Sequence, residues 1–449
     1  MSKVLQQQLR SPLLAAEEYP IERFSEEHAF LSSEEWDISG LAHSEKVLLS
    51  GSRGSGKSAL LIEALRRLAP HNPDSKAVGT YISLRNLDPL RMGRREYEKQ
   101  LCKRVISEVQ KSVDHLDIWF YAEPTLSSLR RELFELAMGL RRRQVLLFDD
   151  VEHIGYDPSF WVFVDILNKL STPHVVSCSG VVYTGTSKFG ARNEIYNYAR
   201  MSFLHRAPEN ERFPDVFVEI INKRFAALLP DQAFGEHLNK RVVAWFLAKS
   251  VLGNMRAFIL ACHKLACMTQ GAKIELCHLE ATLLHLSRTY YWPLLEQLRP
   301  KLGLYEPVIE PALEIAQLVF TTCAQQDGER YATIRKDIVQ NAVNAFALLE
   351  YAGLIEVSRM SHKMSRRAEG TLFRLNLCNL LDAMPEKKLT DDLFTLWMTY
   401  TKDSVEFPTR SPWYQLEFPE LEDVTEQIPI PEPVEENPIP RAFAYGITE

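Results

Sequence analysis

A glycine-rich segment, Gly51–Ser58, most constrains what this chain can fold into. It lies between the apolar run 47–49 and a helical pattern that begins at Ala59. Its glycines permit a tight turn whose backbone N–H groups converge on phosphate oxygens, Lys57 adds a positive charge, and the Ser58 hydroxyl can ligate Mg²⁺. The helix that follows presents its positive end to the same anion. The sequence therefore predicts a nucleotide phosphate site, formed by Gly51, Ser52, Arg53, Gly54, Ser55, Gly56, Lys57, Ser58 and Ala59.

Short apolar runs alternate with amphipathic stretches over the first 210 or so residues. This alternation is typical of an α/β domain, in which a parallel sheet carries helices on both faces. The predicted strands are 46–50, 78–84, 144–149 and 174–179, and the predicted helices are 57–69, 94–113, 125–141 and 158–170.

The second motif is the run 145–150, an apolar strand that ends in Asp149 and Asp150. In a parallel sheet its carboxyl end lies beside the phosphate-binding loop, since functional groups collect at that edge. We expect Asp149 to hold Mg²⁺ together with Ser58, and Asp150 to polarise an attacking water, with Glu152 as a second candidate base. The alternative is a strand end capped by solvated acids.

The strand at 174–179 is expected to lie between the two motif strands, where Ser177 or Ser179 could orient the water that attacks the nucleotide. Just past the sheet, Arg192, Arg200 and Arg206 are candidates for an arginine that reaches the γ-phosphate of a neighbouring subunit. Serines at strand ends are usually turn formers, and most arginines are simply surface residues.

Residues 215–300 have the periodicity of helices throughout. A glycine stop at Gly253 is followed at once by a new helix, which places Arg256 in its first turn. A positive charge gains nothing from the helix dipole there, so we predict that Arg256 senses the γ-phosphate. The aromatic cluster 290–292 is predicted to pack the junction with the next domain.

Residues 305–385 have the pattern of a winged helix, with predicted helices 310–324, 332–337 and 342–352 and predicted strands 353–357 and 370–376. The third helix carries only Glu350 as a charge, which suits it poorly for reading the major groove. The hairpin is basic, and double-stranded DNA or a protein are both open as its ligand. Its positive residues are Arg359, Lys363, Arg366, Arg367 and Arg374, against Glu369.

Charge is distributed unevenly along the 449 residues. The chain carries a net charge of −7, but residues 402–449 alone carry −8 and the remainder +1. From Phe418 onward the sequence is acidic and proline-rich, which predicts an extended segment that docks on a partner or lies in a basic groove of its own chain. The predicted divisions are a lead-in at 1–40, a P-loop domain at 41–212, a helical lid at 213–302, a winged helix at 303–388 and an extension at 389–449.

Composition excludes several classes of protein. No apolar run approaches the ~20 residues that span a bilayer, and the first ten residues lack the apolar core of a secretory signal. The seven cysteines form no Cys-x-x-Cys pair, so neither a zinc knuckle nor a disulfide framework is indicated. We therefore expect a cytoplasmic protein without a membrane partner.

The order of these parts resembles the origin-recognition/Cdc6-like group of AAA+ ATPases, particularly its bacterial members. The likeness rests on Gly51–Ser58, Gly180–Thr186 and Gly253–Arg256, and it spans about residues 20–385. It implies ATP and Mg²⁺ as ligands, γ-phosphate sensing by Arg256, and work as a switch or oligomer rather than as a metabolic enzyme. Some bacterial relatives look like components of anti-phage defence or of mobile elements.

One departure is the acidic pair, which is Asp149-Asp150 where that group usually has Asp-Glu. The pair looks like that of the STAND signalling ATPases, which combine the same three kinds of domain but normally continue into a repeat sensor. Because an aspartate is one methylene shorter than a glutamate, we expect slow hydrolysis. The alternative function is a signalling ATPase, or a subunit that merely holds nucleotide, controlling an effector protein without binding DNA.

Overall fold

The protein is described from a computed structural model. The described residues are 45–69, 75–85, 94–151, 159–170, 172–178, 199–202, 214–301, 303–364, 368–399 and 403–408, with the single positions 24, 28, 29, 40, 41, 72 and 87. Of the described helices, none combines the length and apolar character needed to cross a bilayer.

The first part of the chain is a five-stranded parallel sheet flanked by helices. Its strands are β1 (Lys46–Ser50), β2 (Ala77–Ser83), β3 (Arg143–Asp149), β4 (His174–Cys178) and β5 (Ala199–Ser202), in the order β2-β3-β4-β1-β5. The helices are α1 (Lys57–Arg67), α2 (Arg94–Val113), α3 (Leu126–Leu140) and α4 (Ser159–Leu170). The predicted α/β fold class is confirmed, with β4 between the two motif strands as expected. The sequence did not predict β5, a four-residue strand paired with β1.

The two faces of the sheet bury two separate apolar clusters. Leu48, Phe148 and Val176 pack with α2, α3 and α4 on one face. Leu49 and Val175 pack with α1 on the other. Because both faces are covered, these strands have continuous apolar sequences rather than alternating ones.

A helical region follows the sheet. It contains α5 (Pro214–Arg224), α6 (Lys240–Ser250), α7 (Met255–Thr269), α8 (Leu276–Leu286) and α9 (Trp292–Leu298), with a π-helical turn at Ser287–Tyr291. Asn239 caps α6 and Asn254 caps α7, each accepting a backbone N–H bond on its side-chain oxygen. The aromatic cluster packs as predicted: Tyr291 is fully buried.

The third region contains α10 (Ile309–Gln325), β6 (Tyr331–Arg335), α11 (Lys336–Asn341), α12 (Val343–Tyr351), β7 (Ile355–Lys363), β8 (Glu369–Leu375) and α13 (Leu377–Ala383). It has the helices and hairpin of a winged helix, and Trp292 lies edge-on to Phe320 of α10 at its junction with the helical region. The predicted helix 332–337 is wrong, because residues 331–335 form β6, antiparallel to β8. Thr333 and Ile334 are β-branched and favour a strand, and the helix begins only at Lys336.

Part of the predicted extension also packs on this region. It forms α14 (Asp391–Met398) and β9 (Val405–Phe407), and β9 pairs with β6 to complete a sheet in the order β7-β8-β6-β9. Trp397 is fully buried and donates its indole N–H to the carbonyl of Gly328 at 2.8 Å. The ammonium of Lys249 in α6 donates to the carbonyl of Met398 at 2.9 Å, so α14 also contacts the helical region.

Candidate functional site

The glycine-rich loop joins the carboxyl end of β1 to the amino end of α1, as predicted. Gly54 and Gly56 adopt left-handed backbone angles, with φ of 85° and 103°, a region that residues with a side chain rarely enter. The N–H of Ser55 donates to the carbonyl of Ser52 at 3.2 Å and closes the turn. The loop therefore has the compact form needed to place backbone N–H groups around an anion.

Lys57 lies inside this loop and is only 5% exposed. Its ammonium donates to the carbonyls of Gly51 and Ser52 at 3.0 and 3.1 Å, and no carboxylate of the described residues pairs with it. The Ser55 hydroxyl is also buried, and within the same described part of the chain it has no hydrogen-bond partner. A buried cation without a counter-ion and a buried unpaired hydroxyl are the groups that a phosphate would satisfy.

The two aspartates lie at the same edge of the sheet as the loop. Leu48 of β1 and Phe148 of β3 both pair with Val176 of β4, so Asp149 and Asp150 stand level with the end of β1. Neighbouring strands are about 4.8 Å apart, which separates β1 from β3 by about 10 Å. That gap suits a bound phosphate and its metal ion better than a direct contact.

Residues at the end of β2 hold both carboxylates. Asp149 is 2% exposed and accepts a hydrogen bond from the Tyr81 hydroxyl at 2.8 Å. Asp150 has a left-handed φ of 60°, accepts from the Ser83 hydroxyl at 2.7 Å, and lies 3.5 Å from the guanidinium of Arg85. These contacts fix the direction in which each carboxylate points. The carboxylate of Asp149 and the hydroxyl of Ser58 are oxygen ligands of the kind that suits Mg²⁺.

The central strand contributes Ser177, which pairs with Leu49 of β1 and is fully buried. Its hydroxyl has no hydrogen-bond partner among the residues that the structure describes. A buried hydroxyl between the two motif strands is placed to bond a ligand or a water there. Its role in orienting a water stays a prediction, and Ser179 lies outside the described residues.

The helical region docks directly on the loop. The side-chain amide of Asn254 donates to the carbonyl of Arg53 at 2.6 Å, while its oxygen caps α7 by accepting from the N–H of Ala257 at 3.1 Å. The N–H of Arg256 donates to the carbonyl of Gly54 at 3.1 Å. A Cβ at Gly54 would lie 2.6 Å from the Asn254 oxygen, so this approach also requires glycine at that position.

The winged region reaches one of these loop residues, Arg53. The carbonyl of Tyr351, the last residue of α12, accepts the N–H of Arg53 at 3.1 Å. Burial raises the pKa of the Tyr290 phenol, and the nearby positive charges of Arg256 and Arg53 oppose that rise. Arg53 and Gly54 are therefore bonded to the helical region and the winged region at once.

The structure brings together most of the predicted site: the loop, both aspartates and the first turn that carries Arg256. Arg200 lies in β5 and pairs with Leu48. Several predicted residues lie outside the described part of the chain, namely Glu152, Ser179, Arg192, Arg206, Arg366, Arg367 and the segment 180–186.

Besides Arg85, four contact residues were not predicted from the sequence. Tyr81 and Ser83 could have been noticed as alternate polar residues at the end of an apolar strand. Asn254 could have been recognised as a helix cap, although its bond to Arg53 has no sequence signal. Tyr351 contacts the loop through its backbone carbonyl, which no residue pattern reveals.

Not all of the basic hairpin is available to a ligand. Arg374 of β8 is 8% exposed and forms an ion pair with Glu356, its direct partner on β7. The charge of Arg374 is therefore used inside the sheet, and it does not add to the positive charge that the hairpin offers a ligand. Lys363, at the end of β7, is exposed.

The strand order and the loop geometry define a P-loop α/β domain followed by a helical region and a winged region. Among solved structures the chain is similar to the ORC1 protein of Aeropyrum pernix in complex with DNA, with a TM-score of 0.38 and 13% identity over 82% of this chain and 95% of that one. Domain III of the Thermotoga maritima replication initiation protein DnaA matches with a TM-score of 0.33 and 14% identity, over 59% of this chain and 96% of that one.

A third similar structure is Drosophila ORC bound to GC-rich DNA and Cdc6, with a TM-score of 0.35 and 14% identity. The match covers 66% of this chain and spans half the length of the Drosophila chain. No family model and no curated protein matches this chain. Likeness at this level does not establish a family, so the fold assignment rests on the geometry above.

Proposed function

We propose that this chain is an ATP-binding and slowly hydrolysing AAA+ switch, similar in plan to the Orc/Cdc6-like ATPases. The observation that carries the proposal is the double attachment of Arg53 and Gly54 to Asn254 and Arg256 on one side and to Tyr351 on the other. A loop that only held a nucleotide would not need bonds to two further regions. A loop that reports its occupancy would.

The residues of the site divide the work of binding and hydrolysis. Loop N–H groups and Lys57 hold the phosphates, and Arg256 senses the γ-phosphate from the first turn of α7. Ser58 and Asp149 would hold Mg²⁺, which supplies neutralisation of phosphate charge. Asp150 accepts the proton of the attacking water, while Ser83 and Arg85 hold its carboxylate in place.

The switch works through the positions of Arg53 and Gly54. A phosphate that binds the loop shifts these residues, and the shift changes their bonds to α7 and to the end of α12. Such coupling is reciprocal: if ATP binding changes the strength of this docking, then loss of the docking changes the affinity for ATP by the same factor. Docking and ATP binding are therefore expected to change together.

Asn254→Asp tests this coupling. Aspartate keeps the oxygen that caps α7 but loses the N–H donor, and it brings an oxygen against the Arg53 carbonyl. Losing a buried hydrogen bond costs about 1–3 kcal/mol, so we expect the affinity for ATP to fall about tenfold and the affinity for ADP to fall less. Titration calorimetry on the full chain measures both affinities.

The matched control is Asn239→Asp. The side-chain oxygen of Asn239 caps α6 in the same way, accepting from the N–H of Val242 at 3.0 Å. Among the described residues, no hydrogen bond joins this side chain to the loop. This variant should bind ATP within about twofold of the unchanged protein, since aspartate caps a helix about as well as asparagine. Equal ATP affinity in the two variants would show that docking and binding are independent.

Double-stranded DNA is the second part of the proposal. Lys363 is exposed, and Arg359, Arg366 and Arg367 are close to it in the sequence, which gives this segment a positive charge. Replacing Arg366 and Arg367 with alanine should weaken DNA binding and lower its salt dependence, as phosphate contacts are lost. An unchanged salt slope would instead favour the alternative, a STAND-like ATPase or nucleotide-holding subunit that controls an effector protein.

The same proposal includes three further features. They are a role in anti-phage defence or a mobile element, self-association, and an arginine finger from Arg192, Arg200 or Arg206. Each is motivated by the family resemblance. Of the three arginines, Arg200 lies in β5 at the edge of the sheet rather than past it, and Arg192 and Arg206 lie outside the described residues. Sedimentation of the full chain with and without ATP tests the self-association; a monomer in both states would remove the need for an arginine finger.

A further inference from the structure

A groove lies at the edge of the sheet opposite the phosphate-binding loop. It has a volume of 430 Å³ and lies between α3 and the amino ends of β3 and β4. Arg143 begins β3 and Pro173 precedes β4, whereas the nucleotide site follows the carboxyl ends of the strands. The groove is therefore separate from the site described above.

The lining of the groove combines positive charge with apolar surface. Arg130, Arg131 and Arg143 line it, together with Phe134 and Leu170, and none of its lining residues is acidic. Arg131 also pairs with Glu132 on the exposed surface of α3. A ligand for this groove needs negative charges spaced between apolar groups.

Exposed apolar side chains occur on α3, one of them in the lining of the groove, and just before this helix. Phe134 and Met138, one turn apart on α3, are 66% and 65% exposed, and Trp119 and Tyr121 just before α3 are 82% and 66% exposed. Among the described residues these are the exposed large hydrophobic side chains, and all four fall within residues 119–138. Phe134 lines the groove and Met138 lies one turn further along the same helix, so an apolar strip runs beside the arginines, as is common at interaction surfaces.

The sequence contains a segment with the complementary character. Residues 417–436 hold eight acidic residues and no basic residue. Prolines at 419, 429, 431 and 433 favour an extended chain, which presents alternate side chains to a groove lined with aromatic residues. Its apolar residues, which include Phe418, Leu421, Ile428 and Ile430, lie between the acids.

The segment is long enough to reach the groove. The described chain ends at Pro408, and the 28 residues from 409 to 436 span about 90 Å when extended. A compact chain of 449 residues is about 60 Å across. Because the segment is tethered, its effective concentration is about millimolar, so weak exposed ion pairs suffice for binding.

We propose that the acidic, proline-rich segment 417–436 binds the groove of α3 in its own chain, with its carboxylates on Arg130 and Arg131 and its apolar residues on Phe134 and Met138. The groove is thus an interaction surface that the chain itself covers. This proposal does not depend on the nucleotide switch.

Photocrosslinking of the full chain tests the proposal. Phe134 is replaced with the photoreactive p-benzoylphenylalanine, and in a second protein the exposed His237 of the helical region is replaced in the same way. After irradiation, mass spectrometry should find residues 417–436 linked to position 134, at least fivefold more often than to position 237. Links from position 134 to another segment or to a different protein, or equal yields at the two positions, would overturn the proposal.

Charge exchange makes the test specific. Arg130→Glu with Arg131→Glu should lower the yield from position 134 at least fivefold. Adding Glu432→Lys, Glu435→Lys and Glu436→Lys to that protein should restore it, which loss of folding would not allow. A mixture of ¹⁴N- and ¹⁵N-labelled chains separates the two geometries: links within one isotope support binding in the same chain, and mixed-isotope links overturn it in favour of a second copy.

Discussion

Lys57→Ala is expected to lower the affinity for ATP about a hundredfold, because the variant loses charge-assisted hydrogen bonds to phosphate that are each stronger than neutral ones. Lys57 is buried, and no carboxylate of the described residues competes for its ammonium. Among the described residues, its ammonium donates to the carbonyls of Gly51 and Ser52. Titration calorimetry with ATP and Mg²⁺ measures the effect.

A second lysine of the same domain provides the control. Lys46, at the start of β1, donates to the side chain of Asn168 at 2.7 Å and lies at the opposite end of the strand from the loop. Lys46→Ala should leave ATP affinity within about twofold, since that residue begins β1 at the end of the strand away from the loop. Wild-type affinity in the Lys57→Ala protein would contradict the assignment of Gly51–Ser58 as the phosphate site.

Asp150→Asn is expected to lower the ATPase rate at least about a hundredfold while ATP affinity changes only a few fold, because a general base is lost but the binding groups remain. Asparagine suits this test. It has the same size, it tolerates the left-handed backbone found at Asp150, and its oxygen can still accept from Ser83. Single-turnover hydrolysis separates the chemical step from binding.

The matched control for this substitution is Asp117→Asn. Asp117 also has a left-handed backbone, with φ of 55°, but it is exposed and lies between α2 and α3. The Asp117→Asn protein should hydrolyse ATP at the same rate as the unchanged protein. If Asp150→Asn hydrolyses ATP at the normal rate, the base is another group, and Glu152 becomes the first residue to replace.

The helices were the most predictable part of the fold. The sequence predicts α2 to the residue, because Tyr97, Leu101, Val105 and Val109 recur at helical spacing in it. The errors fall on short strands. β5 has four residues and pairs with β1 along one side, so it shows little periodicity, and β6 was predicted as a helix because its strand character depends on pairing with β8.

The candidate site was predictable where its chemistry depends on residue type. Phosphate binding requires the residue types of the loop, and metal binding requires those of the acidic strand end. These two segments lie close together because the carboxyl ends of parallel strands meet at one edge of the sheet. The docking of the other two regions on Arg53 and Gly54 was not predictable, since it uses backbone groups of Arg256 and Tyr351 that every residue type possesses.

The slow hydrolysis that we propose agrees with the position of Asp150. Its carboxylate is bonded to Ser83 and lies near Arg85, so it is held in one position and cannot extend toward the nucleotide as a longer side chain could. A shorter base held in this way favours a long-lived ATP state. A long-lived state gives the helical and winged regions time to respond.

Hydrogen–deuterium exchange of the full chain with and without ATP tests the central claim most directly. If the loop reports its occupancy through Arg53 and Gly54, ATP will change exchange in the loop and also in the peptides that cover residues 254–258 and 343–354, and Lys57→Ala will abolish all three changes. If ATP changes exchange only in residues 45–69, the nucleotide is held without being sensed, and the switch is contradicted.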